Sequence, residues 1–345
     1  MNITETKTPT SSEDEPYPFV HLHNHSDYSL LDGAVKVEWY AEHVSKLGMK
    51  HIALTDHGNL FGAIHFQKAC REKGLNPIIG CEAYIAHGHC HNKTPDPRIP
   101  SRKRYYYHIV LYCKNETGYR NMLQLVSRSN TEGFYYKPRM DDELLAKYSE
   151  GIMASTACLG GEIPQLILAE QFEEAQKRAI FYQNLFGEGN FYLEVMRHGI
   201  PEEEIVIKAM QKISQNTAIP IIATNDVHYL HREHAEAHDA LICIGMKTKI
   251  NSPNRKRMKL DMPEFYLKTP QQMHELFYDM PEALANTVKL AEKCDLRLPE
   301  PGAILPVYQI PENFNTPEEF FRNLVWRSTQ ERYGDGMNET IRERV

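Results

Sequence analysis

From about residue 19 onward, short apolar runs rich in β-branched residues alternate with longer stretches whose apolar positions recur every three or four residues. The short runs are predicted strands: Phe19-Val20-His21-Leu22-His23, His51-Ile52-Ala53-Leu54, then 77–85, 106–112, 151–154, 190–195 and 219–223. Predicted helices fill the gaps, at 35–47, 60–72, 116–129, 172–185 and 202–215. Strand followed by helix, repeated, argues for a parallel sheet with helices outside it. Seven such units fit a closed (β/α) barrel better than a dinucleotide-binding sheet, and no GxGxxG opens the first helix.

Two polar stretches interrupt the alternation and read as surface loops. Residues 87–104 end in Arg102-Lys103-Arg104, and residues 247–262 contain Arg255-Lys256-Arg257. After Leu296 the pattern changes. Pro299, Pro301, Pro306 and Pro311 form a linker, and a new helix is predicted from Thr316-Pro317-Glu318 towards Tyr333. The expected division is a disordered tail at 1–18, one α/β domain at 19–296, and at 297–345 a linker with the start of a further, truncated module.

Composition narrows the class. Apolar residues make up 41% and charged residues 25%, and no apolar run approaches the ~18 residues needed to span a bilayer. The Thr-, Ser-, Glu- and Pro-rich start lacks the apolar core of a signal peptide, so a cytoplasmic location is expected. Seven cysteines without a CxxC pair describe neither a disulfide framework nor a zinc ribbon. A net charge of −7 argues against coating nucleic acid by bulk electrostatics, though a local basic rim can still handle DNA. The unusual count is 17 histidines, several beside Asp or Asn at the ends of predicted strands.

Those positions converge. His21 and His23 alternate on the first predicted strand and so share a face. His57 follows the second strand, Glu82 lies late in the third, His108 lies on the fourth, and Cys158 follows the fifth. Asp226 and His228 follow the seventh, and Asp32 lies in the loop after the first. In a parallel barrel the carboxyl ends of the strands meet at one rim, where sites are built. Imidazole, carboxylate and thiolate donors suit two or three zinc, manganese or iron ions. Paired ions acidify water and clamp a phosphoryl group, so hydrolysis of a phosphate ester is expected.

The segments His21-Leu-His23-Asn-His25-Ser26-Asp27-Tyr28-Ser29-Leu-Leu-Asp32-Gly33, Thr55-Asp56-His57-Gly58-Asn59-Leu60-Phe61-Gly62 and Thr224-Asn225-Asp226-Val227-His228-Tyr229 resemble the polymerase-and-histidinol-phosphatase (PHP) family. Gly80-Cys-Glu82-Ala-Tyr84 and Ser155-Thr-Ala-Cys158-Leu-Gly160-Gly161 are similar to the form of this domain at the N-terminus of bacterial replicative DNA polymerases. The resemblance covers the chain from Phe19 onward. It implies a distorted seven-stranded, TIM-like barrel with nine ligands for a trinuclear centre: His21, His23, Asp32, His57, Glu82, His108, Cys158, Asp226 and His228. It further implies a 3′–5′ exonuclease that proofreads primer ends beside a polymerase palm module and other replication subunits. Asp226 and His228 are the expected catalytic positions.

Other residues carry two readings each. Asp56 either orients an imidazole by a hydrogen bond or caps the helix opening near Asn59. Asn24, His25 and Asp27 contact substrate or water, or simply form a turn. Glu194 and His198 either support the ligands or are structural. Arg102, Arg104, Arg255 and Arg257 bind nucleic-acid phosphates or belong to solvated faces; Tyr105-Tyr106-Tyr107 stack on bases or are buried; Tyr135-Tyr136-Lys137-Pro138-Arg139 faces the site. Nuclease activity is expected to vanish in Asp226→Ala or His21→Ala. The alternatives are a metal-stabilised scaffold without catalysis and a small-molecule phosphatase of the histidinol-phosphate type. Polymerisation is not expected, because no Asp-x-Asp sits on a predicted strand.

Overall fold

A computed structural model describes residues 17–100, 103–252, 262–298 and 305–345. The chain divides into two compact units, Met1–Leu298 and Pro299–Val345. Among the described residues of the first, seven strands are interspersed with helices. The strands are β1 (His51–Leu54), β2 (Asn76–Ile85), β3 (Tyr107–Cys113), β4 (Arg139–Met140), β5 (Ile152–Ser155), β6 (Phe191–Val195) and β7 (Ile221–Ala223). The helices are α1 (Val37–Lys46), α2 (Ala63–Glu72), α3 (Glu116–Thr131), α4 (Asp142–Tyr148), α5 (Glu162–Leu168), α6 (Phe172–Phe186), α7 (Pro201–Thr217), α8 (Ala235–Gly245), α9 (Pro270–Leu276) and α10 (Pro281–Glu292). The second unit holds α11 (Pro317–Tyr333), whose first turn is capped by the Thr316 hydroxyl accepting from Glu319 N, and α12 (Glu339–Arg344). Among the described residues no helix is long and apolar enough to cross a membrane.

The strand order is β1-β2-β3-β5-β6-β7, with β4 paired on β2. The sheet is not all parallel, as the alternation predicts. β3 runs antiparallel to both β2 and β5, while the other pairs are parallel. Side-chain alternation has the same period in either strand direction, so the pattern alone cannot reveal the reversal.

The predicted first strand is also different. Residues 20–25 form no regular strand: the segment bends at His23 and carries an isolated parallel bridge from Asn24 to Val227. Instead they bond to both ends of the sheet. Ala53 N donates to His21 O and Thr55 N to Asn24 O on the β1 side. Val227 N donates to His23 O and His25 N to Val227 O on the β7 side. This seam joins the two edges of the curled sheet into a distorted barrel. The buried Tyr40 hydroxyl of α1 donates to His25 O at 2.8 Å and pins it from outside.

Alternation along the strands sorts the core into two layers. Ile52, Leu54, Ile79, Cys81, Ile109, Leu111, Ile152, Ala154, Phe191 and Leu193 face the helices. Ala53, Ile78, Val110, Met153, Tyr192 and Ile222 face inward and pack with Val20, Leu22, Leu290 and Ala291. Further along the same inward rows stand Thr55, Glu82, His108, Ser155, Glu194 and Thr224. The barrel interior thus changes from an apolar floor to a polar rim. The reversal of β3 matters here, because His108 is near that strand's start and only an antiparallel strand puts its start at this rim.

Candidate metal centre

The rim gathers eight of the nine predicted ligands and one other residue. His25, His57 and His228 form one group of donor atoms, His23, His25 and Asp226 a second, and Glu82, His108 and Cys158 a third. Asp32 joins the first group through Oδ2, 2.8 Å from His57 Nε2, and through Oδ1, 3.7 Å from His228 Nε2. Glu82 connects all three. Its carboxylate lies 2.6 Å from His57 Nδ1, 2.7 Å from His108 Nδ1, 3.4 Å from His23 Nε2 and 3.5 Å from His25 Nε2. Asp226 Oδ1 lies 3.3 Å from His23 Nε2 and 3.2 Å from His25 Nε2. Cys158 Sγ is 3.6 Å from His108 Nδ1.

His21 is the exception. Its Nε2 lies 2.8 Å from the carbonyl of Lys268, and its ring packs edge-on to Phe19, away from the cluster. The expectation that His21 and His23 share a face required a regular strand, and the seam is not one. His25 takes the place predicted for His21. The signal was present as three histidines at a spacing of two, but spacing does not say which two converge.

Turns position several of these side chains. Gly33 lets the 26–33 turn fold back on itself: a Cβ there would lie 2.0 Å from Ser26 O. That close approach presents Asp32. Asp226 itself sits at φ +44°, a left-handed conformation that Asp tolerates better than most residues. Asn225, beside it, donates to the carbonyls of Glu264 and Tyr266 and accepts from the buried Lys268 ammonium at 3.0 Å. Sequence reading missed Lys268, whose pKa burial lowers to about 8.

Supporting contacts resolve other readings. Glu194 Oε1 lies 2.7 Å from His23 Nδ1 and accepts from Thr224, while Oε2 accepts from Ser155, so Glu194 fixes the His23 ring. Asp56 touches no imidazole and caps no helix, since α2 begins at Ala63 without a side-chain cap. It accepts from Ser26 N, Ser26 Oγ and Ser29 Oγ at 2.6–2.8 Å. Ser29 Oγ in turn lies 3.2 Å from His25 Nδ1, so Asp56 acts on a ring only through Ser29. His198 is bound to Glu203 and to Asn225 O and stacks on Phe265 outside the cluster. Asn24 spends its amide on His21 O and Ala53 O. Tyr107 is buried with its hydroxyl donating to Asp96.

Arg139 does not face the site: it is 1% exposed and donates to four backbone carbonyls. Arg104 is half-buried, and its carbonyl accepts from Asp96 N. Arg102, Arg255 and Arg257 lie outside the described residues.

The electrostatics of the cluster are those of a cation site. Burial favours neutral groups throughout, yet for Glu82 it is outweighed by His108, His57 and His23, which hold the carboxyl well below its usual range. Burial likewise opposes, but does not prevent, the lowering of Asp226 by His23 and His228 and of Asp32 by His57 and His228. Reciprocally, His57 is raised to about 10 by Glu82 and Asp32 against its burial. His25 is lowered to about 3 by burial and by the facing His57 and His228. Burial pushes the Cys158 thiol up, so only a cation would make it a thiolate.

Five buried polar atoms in the cluster have no hydrogen-bond partner: His23 Nε2, His25 Nε2, His57 Nδ1, Glu82 Oε2 and Asp226 Oδ1. Buried donors and acceptors left unmatched are costly, and here imidazole nitrogens and carboxylate oxygens crowd together without hydrogen-bond geometry. A divalent ion between them removes that cost, and the donor set fits zinc, manganese or iron.

His21 supplies a test of its separate role. Burial lowers its imidazole from 6.5 to about 4. Above pH 6.5 it is neutral whether the chain is folded or not. As pH falls from 6.5 towards 4, the unfolded chain gains a proton that the folded chain refuses, so stability is lost across that window. His21→Gln keeps a donor for Lys268 O without this titration. Urea unfolding at pH 7 and 4.5 should show a loss about 2–3 kcal/mol smaller in the variant. Equal losses would contradict a neutral buried imidazole.

The sequence matches to known proteins agree on kinship. The PHP domain family model matches residues 21–198. The chain is 47% identical over 322 residues to the DNA polymerase III subunit alpha of Borreliella burgdorferi and 45% identical over 325 residues to that of Treponema pallidum. Each match covers 93% of this chain and 27% of the relative, so the chain spans about a quarter of the length of these relatives. Among solved structures, an amidohydrolase from Chromobacterium violaceum aligns at TM-score 0.38 and 14% identity, over 61% of this chain and 87% of that one. A two-domain protein from Bacteroides vulgatus containing a predicted PHP-like metal-dependent phosphoesterase aligns at TM-score 0.36 and 14% identity, over 65% of this chain and 57% of that one. With more than half of its length matched by the family model, the chain belongs to the PHP domain family.

Proposed function

We propose that the rim is a multinuclear metal centre that hydrolyses the terminal phosphodiester at the 3′ end of a DNA strand, as the proofreading domain of a replicative polymerase. The observation that carries this reading is the set of five unpartnered buried donor atoms on His23, His25, His57, Glu82 and Asp226. Two or three divalent ions held there supply Lewis acidity towards a phosphoryl oxygen and an acidified water. Glu82 reaches all three donor groups and Asp226 the two that share His25, so these carboxylates would hold the ions together. Glu194 holds His23 in one ring orientation, and Ser29, tied to Asp56, holds His25. Asp226 and His228 stand at the centre as the expected catalytic positions. The kinship with polymerase subunits supports a DNA substrate, a palm module and holoenzyme subunits as partners, and a cytoplasmic setting.

The test uses the full chain loaded with manganese, zinc or iron and a 5′-labelled primer, matched or mismatched at its 3′ end. Stepwise release of nucleotides from the 3′ end is expected, with loss in Asp226→Ala. Cleavage of p-nitrophenyl phosphate but not of the primer would replace this reading by a small-molecule phosphatase. Bound metal without hydrolysis of either would leave a metal-stabilised scaffold.

A further inference from the structure

We propose that the turn at 133–138 and the tyrosines beside it hold the single-stranded end of a polynucleotide, Tyr136 stacking on a base and Lys137 meeting a phosphate. The proposal rests on the nuclease reading of the adjacent centre and names what steers the strand into it.

Tyr136 stands at the tip of a tight turn closed by Tyr135 N donating to Lys137 O at 3.1 Å. It has φ +61° and is 66% exposed, and Phe134 next to it is 59% exposed. A bulky residue in the left-handed region is strained, and the Tyr136 ring packs only on two other tyrosines while most of it stays exposed. Such strain is found where a side chain must be aimed. The turn is fastened to the metal centre. Pro138 lies so close to Gly58, the residue after His57, that a Cβ there would sit 2.9 Å from Pro138 Cγ. Arg139 continues into β4 and pairs with Tyr84 of β2.

Aromatic and cationic groups gather in two sets, one at the tip and one against the metal centre, with Tyr136 and Lys137 adjacent in the same turn. The Tyr136 ring lies 4.5 Å from Tyr135 and 5.6 Å from Tyr105, with the Lys93 ammonium 5.7 Å from the Tyr135 ring. The Lys137 ammonium stands 5.2 Å from the Tyr84 ring. Tyr84 stacks at 6.2 Å on His57 and stands edge-on at 5.3 Å to His108, both in the donor cluster. Tyr84 is buried and only backs the turn; the exposed Tyr136 ring and the Lys93 and Lys137 ammonium groups are the parts a strand can reach, a stacking surface beside phosphate-binding charge as in single-strand binders. Two lysines on an otherwise acidic chain give the charge complementarity a phosphate backbone needs.

The experiment measures binding of a fluorescein-labelled oligothymidylate to the full chain by anisotropy, with EDTA present to stop hydrolysis. Tyr136→Asn removes the ring while tolerating the left-handed backbone, and should weaken binding at least about fivefold. Tyr136→Phe should restore it. Lys137→Ala should weaken binding and flatten the slope of log affinity against log salt by about 0.7. Unchanged affinity in both Tyr136→Asn and Lys137→Ala overturns the proposal. Binding that depends on Tyr136 while the metal-loaded chain cleaves no ester leaves the strand site standing and removes the nuclease reading. Primer cleavage with unchanged binding does the reverse.

Discussion

Glu82→Gln is expected to strip the rim of most of its divalent ions and to lower primer cleavage at least about 100-fold, since even residues behind a metal ligand typically contribute 10–100-fold. Glu82 is the one side chain within 3.5 Å of His23, His25, His57 and His108 together. Its charge also sets the protonation of its neighbours, being a leading cause of the raised His57. An amide in its place would be a poor bridge between ions and removes the negative charge that four imidazoles surround. Elemental analysis of the purified variant and the primer assay read the two effects separately. His21→Gln is the control and should keep its metal, since His21 faces Lys268. Full metal content in Glu82→Gln, or its loss in His21→Gln, would mean that the donor groups are drawn wrongly.

Arg139→Met should destabilise the first unit by about 3–5 kcal/mol. The guanidinium is buried and donates to Gly133 O, Asn92 O, Tyr105 O and Cys90 O, which come from three stretches of irregular chain. No regular ladder satisfies those carbonyls, so one side chain does the work of a secondary-structure element. Methionine fills much of the volume but leaves four acceptors facing an apolar group. Urea unfolding measures the stability loss, and limited proteolysis within 86–106 should show that loop loosening first. A loss below about 1 kcal/mol would place the hydrogen bonds among those readily exchanged for water.

Much of the centre was legible because ligands mark the ends of apolar runs. Glu82 and Glu194 sit on inward rows that simple alternation identifies, and His57, Asp226 and His228 follow strands that the apolar runs predict. What was not legible has physical reasons. The reversal of β3 leaves no trace in a period of two, which is blind to strand direction. β4 is only two residues long and carries no pattern at all. The choice between His21 and His25 depends on where the seam departs from regular geometry, and that is set by bonds to β1 and to Val227 far away in sequence. Asp56 resembled a cap or a ring partner because it stands next to His57, yet its oxygens are taken by Ser26 and Ser29, about 30 residues earlier.

The seam at 20–25 gives the barrel an opening line. Other joins in the sheet are ladders, but this one is a few backbone bonds on either side of a short irregular segment. The same segment carries His23 and His25, whose rings face Glu82 from β2 and Asp226 from beyond β7. An ion shared by these groups would work as a clasp across this join. Binding energy gained at the rim would then be closure energy for the barrel, and parting the seam would release the ions. Local opening and emptying of the centre would then be one cooperative event, because the segment that closes the barrel also carries His23 and His25.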